Sequence, residues 1–363
     1  MRTLEVIRSL DLGGAQMLLM ERVRAAARPE DIRIVNTLGI ECALEASIIE
    51  AGASVVRTPS ANPWLAHRGV LGEIRRFQPD VVVVHSPSAA VPLKIARALR
   101  RLAVPVVEVI HNTRYRSRAV ALATTATNRW ADLSLAVSTG AARSRAAVGS
   151  RVVQVVHQGI DVRGIQTWIA ENPGWRDQVR RRWLAPEVDR VAVFCGRLVA
   201  EKRPLDAIKA IDALPRNFGL LVVGYGPETA ALESYVRSRG LESRVALLGA
   251  QDHAWRFIAA GDVFCLPSAF EGLPVVLMEA VACGSPIAAT RIPGVTEIVD
   301  EATGSRLFEV GETDRLADLI RELVARDRTP QERAAQTDAC TYWDVRTAAS
   351  RLDSALERVV ASA

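Results

Sequence analysis

The sequence predicts an α/β protein built from two Rossmann-like, doubly wound domains that face a central cleft. Its 363 residues exceed what one small core needs, and 49% of them are hydrophobic against 24% charged. Short β-branched runs alternate with helical patterns, which is typical of parallel sheets covered by helices. The alternation begins again after the segment 157–165, so we expect two domains of similar architecture.

The first half of the chain contains seven predicted strands. Two of them, VVVVH and VPVVEVIH, have the continuous β-branched character of strands that are buried on both faces. Helices are predicted between the strands, for example over 15–27 and 65–77. The predicted strands cover residues 3–8, 32–38, 54–57, 81–85, 105–110, 133–137 and 152–156.

The second half begins with HQGIDVRGI, which we interpret as a crossover segment, and a polar helix over 173–183. Five further strands are predicted, in VAVFCG, LLVVG, VALLG, VFCLP and PIAAT. The last segment is predicted to be a helix that returns to brace the first domain. We therefore place an N-terminal domain at 1–162, a C-terminal domain at 163–341 and the returning helix at 342–363.

Composition excludes several classes of protein. The longest uncharged stretch, 81–93, is too short to span a bilayer, and charges interrupt MRTLEVIRSL, which favours a first strand over a signal peptide. The five cysteines are odd in number and form no CxxC pair, so we expect reduced core thiols in a cytoplasmic protein. The chain has no P-loop.

Charge is distributed unevenly between the two halves. Residues 1–165 hold 22 Lys and Arg against 13 Asp and Glu, a net charge of +9, whereas the remainder carries −4. This asymmetry suggests different partners for the two domains. The basic residues lack interleaved aromatic residues, so we do not expect a nucleic-acid partner.

Two cations follow the first strand of the second domain, in CGRLVAEKRPLDAIKAI. Arg197 stands at the strand end and Lys202 at the start of the next helix. Cations beside a helix N-terminus suit a diphosphate. The alternative is that both are surface charges that pair with Glu201 and Asp206.

A glycine-rich turn follows the next strand, in LVVGYGPE. Gly224 and Gly226 could approach a ligand, although a tight strand-to-helix turn explains them equally well. A GxGxxG motif is absent because Thr229 occupies its last position, which disfavours a nicotinamide cofactor.

The segment SAFEGLPVVLMEAVACGSPIAAT places Glu271 in a turn and Glu279 inside an otherwise apolar helix. A buried carboxylate is costly unless a partner satisfies it. Glu279 could accept the two vicinal hydroxyls of a ribose, or a backbone group or arginine elsewhere in the fold could satisfy it. The backbone N–H groups of the turn at the helix N-terminus suit an anionic or hydroxyl ligand. That turn comprises Gly272, Leu273 and Pro274.

The first domain offers fewer candidates. Gly13 and Gly14 form a turn that permits close approach to the backbone. His111 directly follows a strand, where it could donate to a hydroxyl or phosphate and titrate near neutral pH, or serve a structural role. The basic residues that follow could form a cationic rim on the acceptor side or a plain solvated face. That segment contains Asn112, Arg114, Arg116 and Arg118.

Taken together, these segments resemble the retaining glycosyltransferases of family 4, which have the GT-B fold. The most specific part of the resemblance is the Glu-x7-Glu spacing from Glu271 to Glu279. GRLVAEK, VVGYGPE and IPGVTEIV add to it through their order and spacing, and the resemblance covers nearly the whole chain.

The resemblance implies a role for each candidate residue. Glu279 would hold the ribose of a nucleotide sugar, and Arg197 with Lys202 would bind and stabilise the diphosphate leaving group. Glu271 and the Gly272–Pro274 backbone would hold the donor sugar. His111 would also contact that sugar, and Gly13 and Gly14 would lie against the phosphates.

The resemblance also implies a metal-independent reaction, because fixed cations and a helix dipole replace the metal. Front-face attack through an oxocarbenium-like state is expected, with a donor phosphate oxygen accepting the proton. No residue is placed as a covalent nucleophile, which disfavours the two-carboxylate scheme. Uridine is the expected base.

Two other functions stay open at this stage. A sugar-nucleotide 2-epimerase or hydrolase shares the fold but should show further acids around the sugar, and a non-catalytic binding subunit would not need the intact cations. The acceptor is expected to be a lipid-linked or cell-surface glycan reached by peripheral membrane association, with a soluble small molecule, such as an aminocyclitol, as the competing hypothesis. Arg97, Arg100 and Arg101 beside Leu99 and Leu102 could rest on an anionic membrane surface, at its cytoplasmic face.

Overall fold

The structure, a computed structural model, describes residues 1–11, 14–58, 62–111 and 117–362, with the side chains of 63 and 64 left out. The chain forms two compact units. The first comprises residues 1–160 and 343–363, and the second comprises residues 161–342. The sequence-based boundaries lay at 162/163 and 341/342.

The first unit contains a sheet of seven parallel strands in the order β3-β2-β1-β4-β5-β6-β7. All seven predicted strands are confirmed, each end to within two residues. Successive strands are added on one side of β1 up to β3 and on its other side from β4 onward, so the topological switch point lies between β1 and β4. The strands are β1 (Thr3–Ile7), β2 (Ile32–Asn36), β3 (Ser54–Arg57), β4 (Val81–Val84), β5 (Val106–Ile110), β6 (Leu133–Ala136) and β7 (Val153–Val155).

Helices connect these strands because the intervening segments carry apolar residues at helical spacing and polar residues at their starts. The Ser117 and Ser138 hydroxyls, for example, accept hydrogen bonds from the N–H groups of Val120 and Ala141 and so cap the helices that these serines open. The helices are α1 (Gly14–Ala25), α2 (Glu45–Glu50), α3 (Pro63–Phe77), α4 (Pro87–Ala98), α5 (Arg118–Thr127) and α6 (Thr139–Ala142).

The second unit contains six parallel strands in the order β10-β9-β8-β11-β12-β13. The five predicted strands are confirmed, but the predicted total of five is wrong because the sheet has a sixth strand. The sixth strand escapes a hydrophobicity pattern because it has three residues and begins with an arginine. The strands are β8 (Arg190–Cys195), β9 (Phe218–Val223), β10 (Val245–Leu247), β11 (Val263–Leu266), β12 (Ile287–Thr290) and β13 (Arg306–Phe308).

The predicted crossover at 157–165 is helical in its second part. The Asp161 carboxylate accepts a hydrogen bond of 3.1 Å from the Gly164 N–H and so caps the first helix of this unit. The predicted polar helix over 173–183 is confirmed as the helix Trp175–Trp183. The remaining helices are α7 (Val162–Glu171), α8 (Trp175–Trp183), α9 (Pro204–Asp212), α10 (Thr229–Ser238), α11 (Trp255–Ala260), α12 (Val275–Ala282), α13 (Pro293–Thr296), α14 (Thr313–Ala325), α15 (Pro330–Trp343) and α16 (Val345–Ser362).

The C-terminal helix α16 packs against α1 in the first unit. The chain enters it through a parallel bridge, in which the Ile160 N–H donates to the Trp343 carbonyl at 2.9 Å. Gly159 permits this approach, because a Cβ there would lie 2.5 Å from the same carbonyl oxygen. No helix of the described chain is long and apolar enough to cross a membrane.

One ion pair lies inside the core of the first unit. Lys94 is fully buried, and its Nζ donates to the Glu108 carboxylate at 2.6 Å and to the side-chain amide oxygen of Asn128 at 2.8 Å. Burial lowers the pKa of Lys94, and the opposing charge of Glu108 limits this shift. Both partners of a pair this deep must be present, since either alone would leave a desolvated charge.

Candidate functional site

Candidate residues of the second unit lie beyond the carboxyl ends of neighbouring strands. The loop after β8 carries Arg197 and Lys202, and the loop after β11 carries Glu271. These strands are adjacent at the point where the strand order reverses, which is where ligands bind in open α/β sheets. A backbone hydrogen bond of 2.8 Å from the Ala269 N–H to the Glu201 carbonyl ties the two loops together.

Lys202 and Glu271 form a close ion pair. The Lys202 Nζ lies 2.5 Å from both carboxylate oxygens, and the Ser268 hydroxyl donates to one of them at 2.7 Å. The carboxylate is buried, so these donors replace the water that it would otherwise bind. The alternative pairing of Lys202 with nearby acids is wrong, since Asp206 accepts from Arg203 at 2.6 Å instead.

Arg197 differs from Lys202 because it is exposed. Within the described residues, its guanidinium makes no hydrogen bond or ion pair. A cation held in place by a carboxylate and a neighbouring cation that is open to solvent together form a site that can attract an anion.

Gly224 and Gly226 bring the loop after β9 against the loop after β8. Gly224 has a φ of +134°, and a Cβ there would lie 1.9 Å from the Gly196 carbonyl oxygen. A Cβ at Gly226 would lie 2.3 Å from the Leu198 carbonyl oxygen. Packing of one loop on the other therefore requires both glycines, with or without a ligand.

Glu279 is half-buried on α12, and the expectation of a buried carboxylate is wrong. It also interacts with other groups of the chain, so satisfaction within the fold stays open beside the ribose hypothesis. Burial, and then the charge of Glu279, raise the pKa of the Cys195 thiol at the end of β8 and that of the Cys283 thiol. The negative charge of Glu279 is therefore felt at Cys195, the last residue of β8, two residues before Arg197.

The turn before α12 has donors to offer. Within the described chain, the N–H groups of Gly272 and Leu273 donate to no acceptor, and Pro274 holds the N-cap position in an extended conformation. Gly294, in the neighbouring loop, packs on this turn, since a Cβ there would lie 2.7 Å from the carbonyl oxygens of Glu271 and Gly272. Gly294 thus packs against the carbonyl side of the turn, and the N–H groups of Gly272 and Leu273 are left available for a ligand.

His111 in the first unit belongs to a hydrogen-bonded series of side chains. Its Nε2 lies 3.0 Å from the Nδ1 of His85, whose Nε2 lies 2.7 Å from the Glu5 carboxylate. Glu5 is fully buried and also forms an ion pair with Arg22 of α1. We name Arg22, Glu5, His85 and His111 the histidine relay.

Of the four relay residues, the sequence predicts only His111 as a site residue. His85 closes the predicted buried strand over 81–85, and Glu5 is one of the charges that interrupt the apolar run MRTLEVIRSL. A carboxylate inside a fully buried strand was the signal that could have revealed it.

Burial keeps both relay histidines neutral. It lowers the pKa of His85 to about 3, with a further contribution from the positive charge of Arg22. It lowers the pKa of His111 to about 3 as well, with a further contribution from His85. The expectation that His111 titrates near neutral pH is therefore wrong.

This shift has a consequence for stability that can be measured. Between pH 6.5 and about 3 the unfolded chain binds a proton at His85 that the folded chain does not. The free energy of unfolding is therefore expected to fall with decreasing pH, by about 1.4 kcal/mol per unit for this histidine. Urea unfolding at pH 7, 6 and 5 measures this slope.

The matched comparison for the slope is His85→Gln, with the exposed His253→Gln as control. We expect His85→Gln to flatten the dependence between pH 6 and 5, and His253→Gln to leave it unchanged. Parallel curves for native protein and His85→Gln would show that His85 does not resist protonation.

Several predicted site residues lie outside the described part of the chain: Gly13, Asn112, Arg114 and Arg116. Gly14 begins α1, and Arg118 begins α5. In the described ranges, no group of three or more His, Cys, Asp and Glu side chains is arranged to hold a metal ion.

The basic surface proposed for membrane contact is smaller than the sequence suggested. Arg97 pairs with Asp132 through contacts of 2.9 and 3.0 Å, and Leu102 is buried. Leu99, Arg100 and Arg101 remain exposed. One apolar side chain is a weak anchor, since interfacial binding scales with buried apolar area.

Two family models match consecutive parts of the chain. Residues 12–163 match the model of Glycosyltransferase Family 4, and residues 176–338 match that of Glycosyl transferases group 1. In fold, the chain is similar to Anabaena HepE crystallised with UDP, with a TM-score of 0.84 and 22% identity over 99% of this chain and 100% of HepE. The chain therefore has the GT-B fold, and consecutive parts of it match two glycosyltransferase family models.

Other GT-B structures resemble the chain as well. The sucrose-phosphate synthase from Thermosynechococcus elongatus has a TM-score of 0.79 at 16% identity, and it covers the whole of both chains. At these identities the likeness shows the GT-B fold alone.

Curated relatives match part of the chain. The 2-deoxystreptamine glucosyltransferase of Streptomyces kanamyceticus is 31% identical over 68% of this chain and 61% of its own length. The N-acetyl-alpha-D-glucosaminyl L-malate synthase of Bacillus anthracis is 28% identical over 47% of this chain and 46% of its own length. The chain thus spans about half the length of the curated relatives that it matches.

Proposed function

We propose that the chain is a retaining glycosyltransferase of family 4 that moves a sugar from a UDP-sugar to a hydroxyl of an acceptor. The observation that carries the proposal is the Lys202–Glu271 ion pair at the switch point of the second sheet. Glu271 precedes Glu279 of α12 by eight residues, which is the Glu-x7-Glu spacing. A donor site of this type needs a fixed cation for the diphosphate beside a carboxylate for the sugar, and this pair supplies both.

In this proposal Arg197 and Lys202 bind the diphosphate. An ammonium group has three N–H donors, so Lys202 can retain its contact with Glu271 while it donates to a phosphate oxygen. Arg197 is exposed and reaches the phosphate without first breaking an ion pair. Both cations then stabilise the charge that develops on the leaving group.

The donor sugar and the nucleoside are proposed to meet the remaining candidates. Glu271 and the N–H groups of Gly272 and Leu273 receive the sugar hydroxyls. Glu279 holds the ribose. Pro274, Gly224 and Gly226 shape the surrounding loops.

The first unit is proposed to complete the donor site and to bind the acceptor. His111 contacts the donor sugar, and Gly13 with Gly14 approach the phosphates. The acceptor side includes Asn112, Arg114 and Arg116.

We propose front-face attack, in which the acceptor oxygen arrives on the side that the leaving group departs from. A donor phosphate oxygen takes the acceptor proton. Glu271 is a poor covalent nucleophile because Lys202 and Ser268 already occupy its carboxylate. The positive charge of Arg197 and Lys202 supplies the electrostatic stabilisation, and no resident metal is required.

The acceptor is proposed to be a small hydroxylated molecule. Two relatives support this choice, since one is named for 2-deoxystreptamine and the other for L-malate. A lipid-linked or glycan acceptor is the competing proposal, but the buried Leu102 and the ion-paired Arg97 reduce the surface that would serve it.

The test is a transfer assay with UDP-glucose and UDP-N-acetylglucosamine against a panel of polyols, aminocyclitols and hydroxy acids. Formation of an α-linked product from an α-linked donor, observed by NMR, supports retaining transfer. Donor turnover at the same rate without acceptor would replace the proposal by a hydrolase or epimerase. Nucleotide binding without any turnover would indicate a binding subunit.

Flotation with anionic liposomes at physiological salt separates the acceptor classes. We expect the protein to stay with the soluble fraction. Recovery with the vesicles, together with transfer to a lipid-linked acceptor only, would overturn the small-molecule proposal.

A further inference from the structure

We propose that Glu5 and His85 are positioning residues that fix the tautomer of His111, so that His111 presents an unprotonated Nδ1 as a hydrogen-bond acceptor. The group opposite is then a hydroxyl that donates, such as one on the donor sugar. This second statement rests on the proposed function, whereas the tautomer itself does not.

The carboxylate at the buried end of the relay is held by a cation. Glu5 is fully buried and pairs with Arg22, whose other amino group lies 3.6 Å from the Asp353 carboxylate on α16. A carboxylate held by a guanidinium stays ionised, and an ionised carboxylate only accepts hydrogen bonds. The 2.7 Å contact therefore requires a proton on the Nε2 of His85.

The next step follows from the chemistry of neutral imidazole. A neutral ring carries one donor nitrogen and one acceptor nitrogen. With its proton on Nε2, His85 can only accept at Nδ1. The 3.0 Å contact with His111 then requires a proton on the Nε2 of His111 and leaves the Nδ1 of His111 with a lone pair.

Packing supports this arrangement. The two imidazole rings stack, with their centroids 5.2 Å apart and their planes at 28°. His85 and Arg22 line a cavity of about 30 Å³, which is also lined by Val83 of β4 and by Leu352 of α16. Outside the relay, the charged group nearest to it is Asp353, which pairs with Arg22 rather than with His85, so among the described contacts no second carboxylate competes with Glu5 for the His85 proton.

The fixed tautomer determines which ligand groups can form a hydrogen bond with His111. A lone pair on Nδ1 attracts a hydroxyl hydrogen and repels a phosphate oxygen. His111 therefore recognises a sugar hydroxyl, and the expectation that it donates to a phosphate does not fit this chain. The relay gives the first unit a neutral acceptor, whereas the second unit offers cations.

The direct test is long-range ¹H–¹⁵N correlation NMR of ¹⁵N-histidine-labelled native protein. The chain has five histidines, and His111→Asn and His85→Gln identify the two relay signals by their loss. We expect both rings as neutral Nε2–H tautomers from pH 5 to 8. An Nδ1–H tautomer or an imidazolium at His111 at pH 7 would overturn the proposal without any assay of activity.

Variants separate positioning from general stability. In His85→Gln the amide can donate to Glu5 and accept from His111, so we expect the His111 tautomer to be retained. In His85→Leu and Glu5→Gln we expect mixed tautomers and a roughly tenfold loss in kcat/KM for the donor, the effect of one hydrogen bond.

Glu108→Gln is the matched control, because Glu108 is the other buried carboxylate paired with a cation in this sheet and does not contact the relay. It is expected to lower stability but to leave the His111 spectrum and kcat/KM within threefold of native. Equal tautomer changes in Glu108→Gln and Glu5→Gln would overturn the positioning role. Absence of transfer by native protein, with the tautomer as expected, would reject the proposed function alone.

Discussion

Replacing Lys202 by alanine is expected to lower kcat for sugar transfer by about 10²–10³-fold, the effect of removing one group that stabilises developing charge. Lys202 touches both oxygens of Glu271, so its loss removes the proposed diphosphate cation and leaves a buried carboxylate with the Ser268 hydroxyl as donor. Initial rates with saturating UDP-sugar and acceptor measure the change. Thermal unfolding of the same variant separates a loss of chemistry from a loss of structure.

Lys209→Ala is the matched control for that experiment. Lys209 is exposed on α9 of the same unit and carries the same charge. We expect it to retain activity within twofold of native. A Lys202→Ala variant that keeps its fold and more than a third of native kcat would remove Lys202 from the proposed mechanism.

Replacing Lys94 by methionine is expected to lower the free energy of unfolding by about 3–5 kcal/mol, as when one partner of a buried ion pair is removed. The Glu108 carboxylate would stay in the core, 3% exposed, without its counter-charge. The double variant Lys94→Met, Glu108→Leu should recover most of the loss, because apolar side chains of similar size suit that site. Urea denaturation followed by circular dichroism measures all three proteins.

An exposed ion pair of the same unit provides the comparison. The Arg28 guanidinium is exposed and lies 3.1 Å from the Asp31 carboxylate and 3.4 Å from the Glu30 carboxylate, so Arg28→Ala should change stability by less than about 1 kcal/mol. If Lys94→Met is no less stable than Arg28→Ala, then the Glu108 carboxylate does not need Lys94 as a counter-charge in the core.

Most of the fold could be predicted from the sequence because parallel strands buried on both faces appear as continuous β-branched runs. This signal is clearest in β4 and β5, and the alternation of short β-like runs with helical patterns located twelve of the thirteen strands in all. β13 was missed because Arg306 opens a strand of three residues, and its pairing with β12 depends on a neighbour rather than on its own pattern.

The candidate site could be predicted only in part. Residues just after strands were found, since ligands bind at those ends. Contacts between loops were not, because they depend on strand order. Lys202 and Glu271 are 69 residues apart, and they meet because β8 and β11 are neighbours.

Strand order explains the missed relay as well. Glu5, His85 and His111 belong to β1, the end of β4 and the end of β5, which are consecutive strands in the sheet. Once the order of a doubly wound sheet is assumed, a carboxylate in β1 and histidines after β4 and β5 are expected to be neighbours. The tautomer still requires the measured contacts.

The most direct test of the central claim is calorimetric titration with UDP, GDP and ADP on native protein and on Glu279→Ala. Glu233→Ala, which removes an exposed acid of α10 in the same unit, serves as the control. We expect one nucleotide, UDP, to bind in the micromolar range, Glu279→Ala to lose roughly 2 kcal/mol of binding free energy, and Glu233→Ala to bind as native does. If no nucleotide binds, or if Glu279→Ala binds equally well, then Glu279 is a structural carboxylate and the donor site proposed for the second unit is wrong.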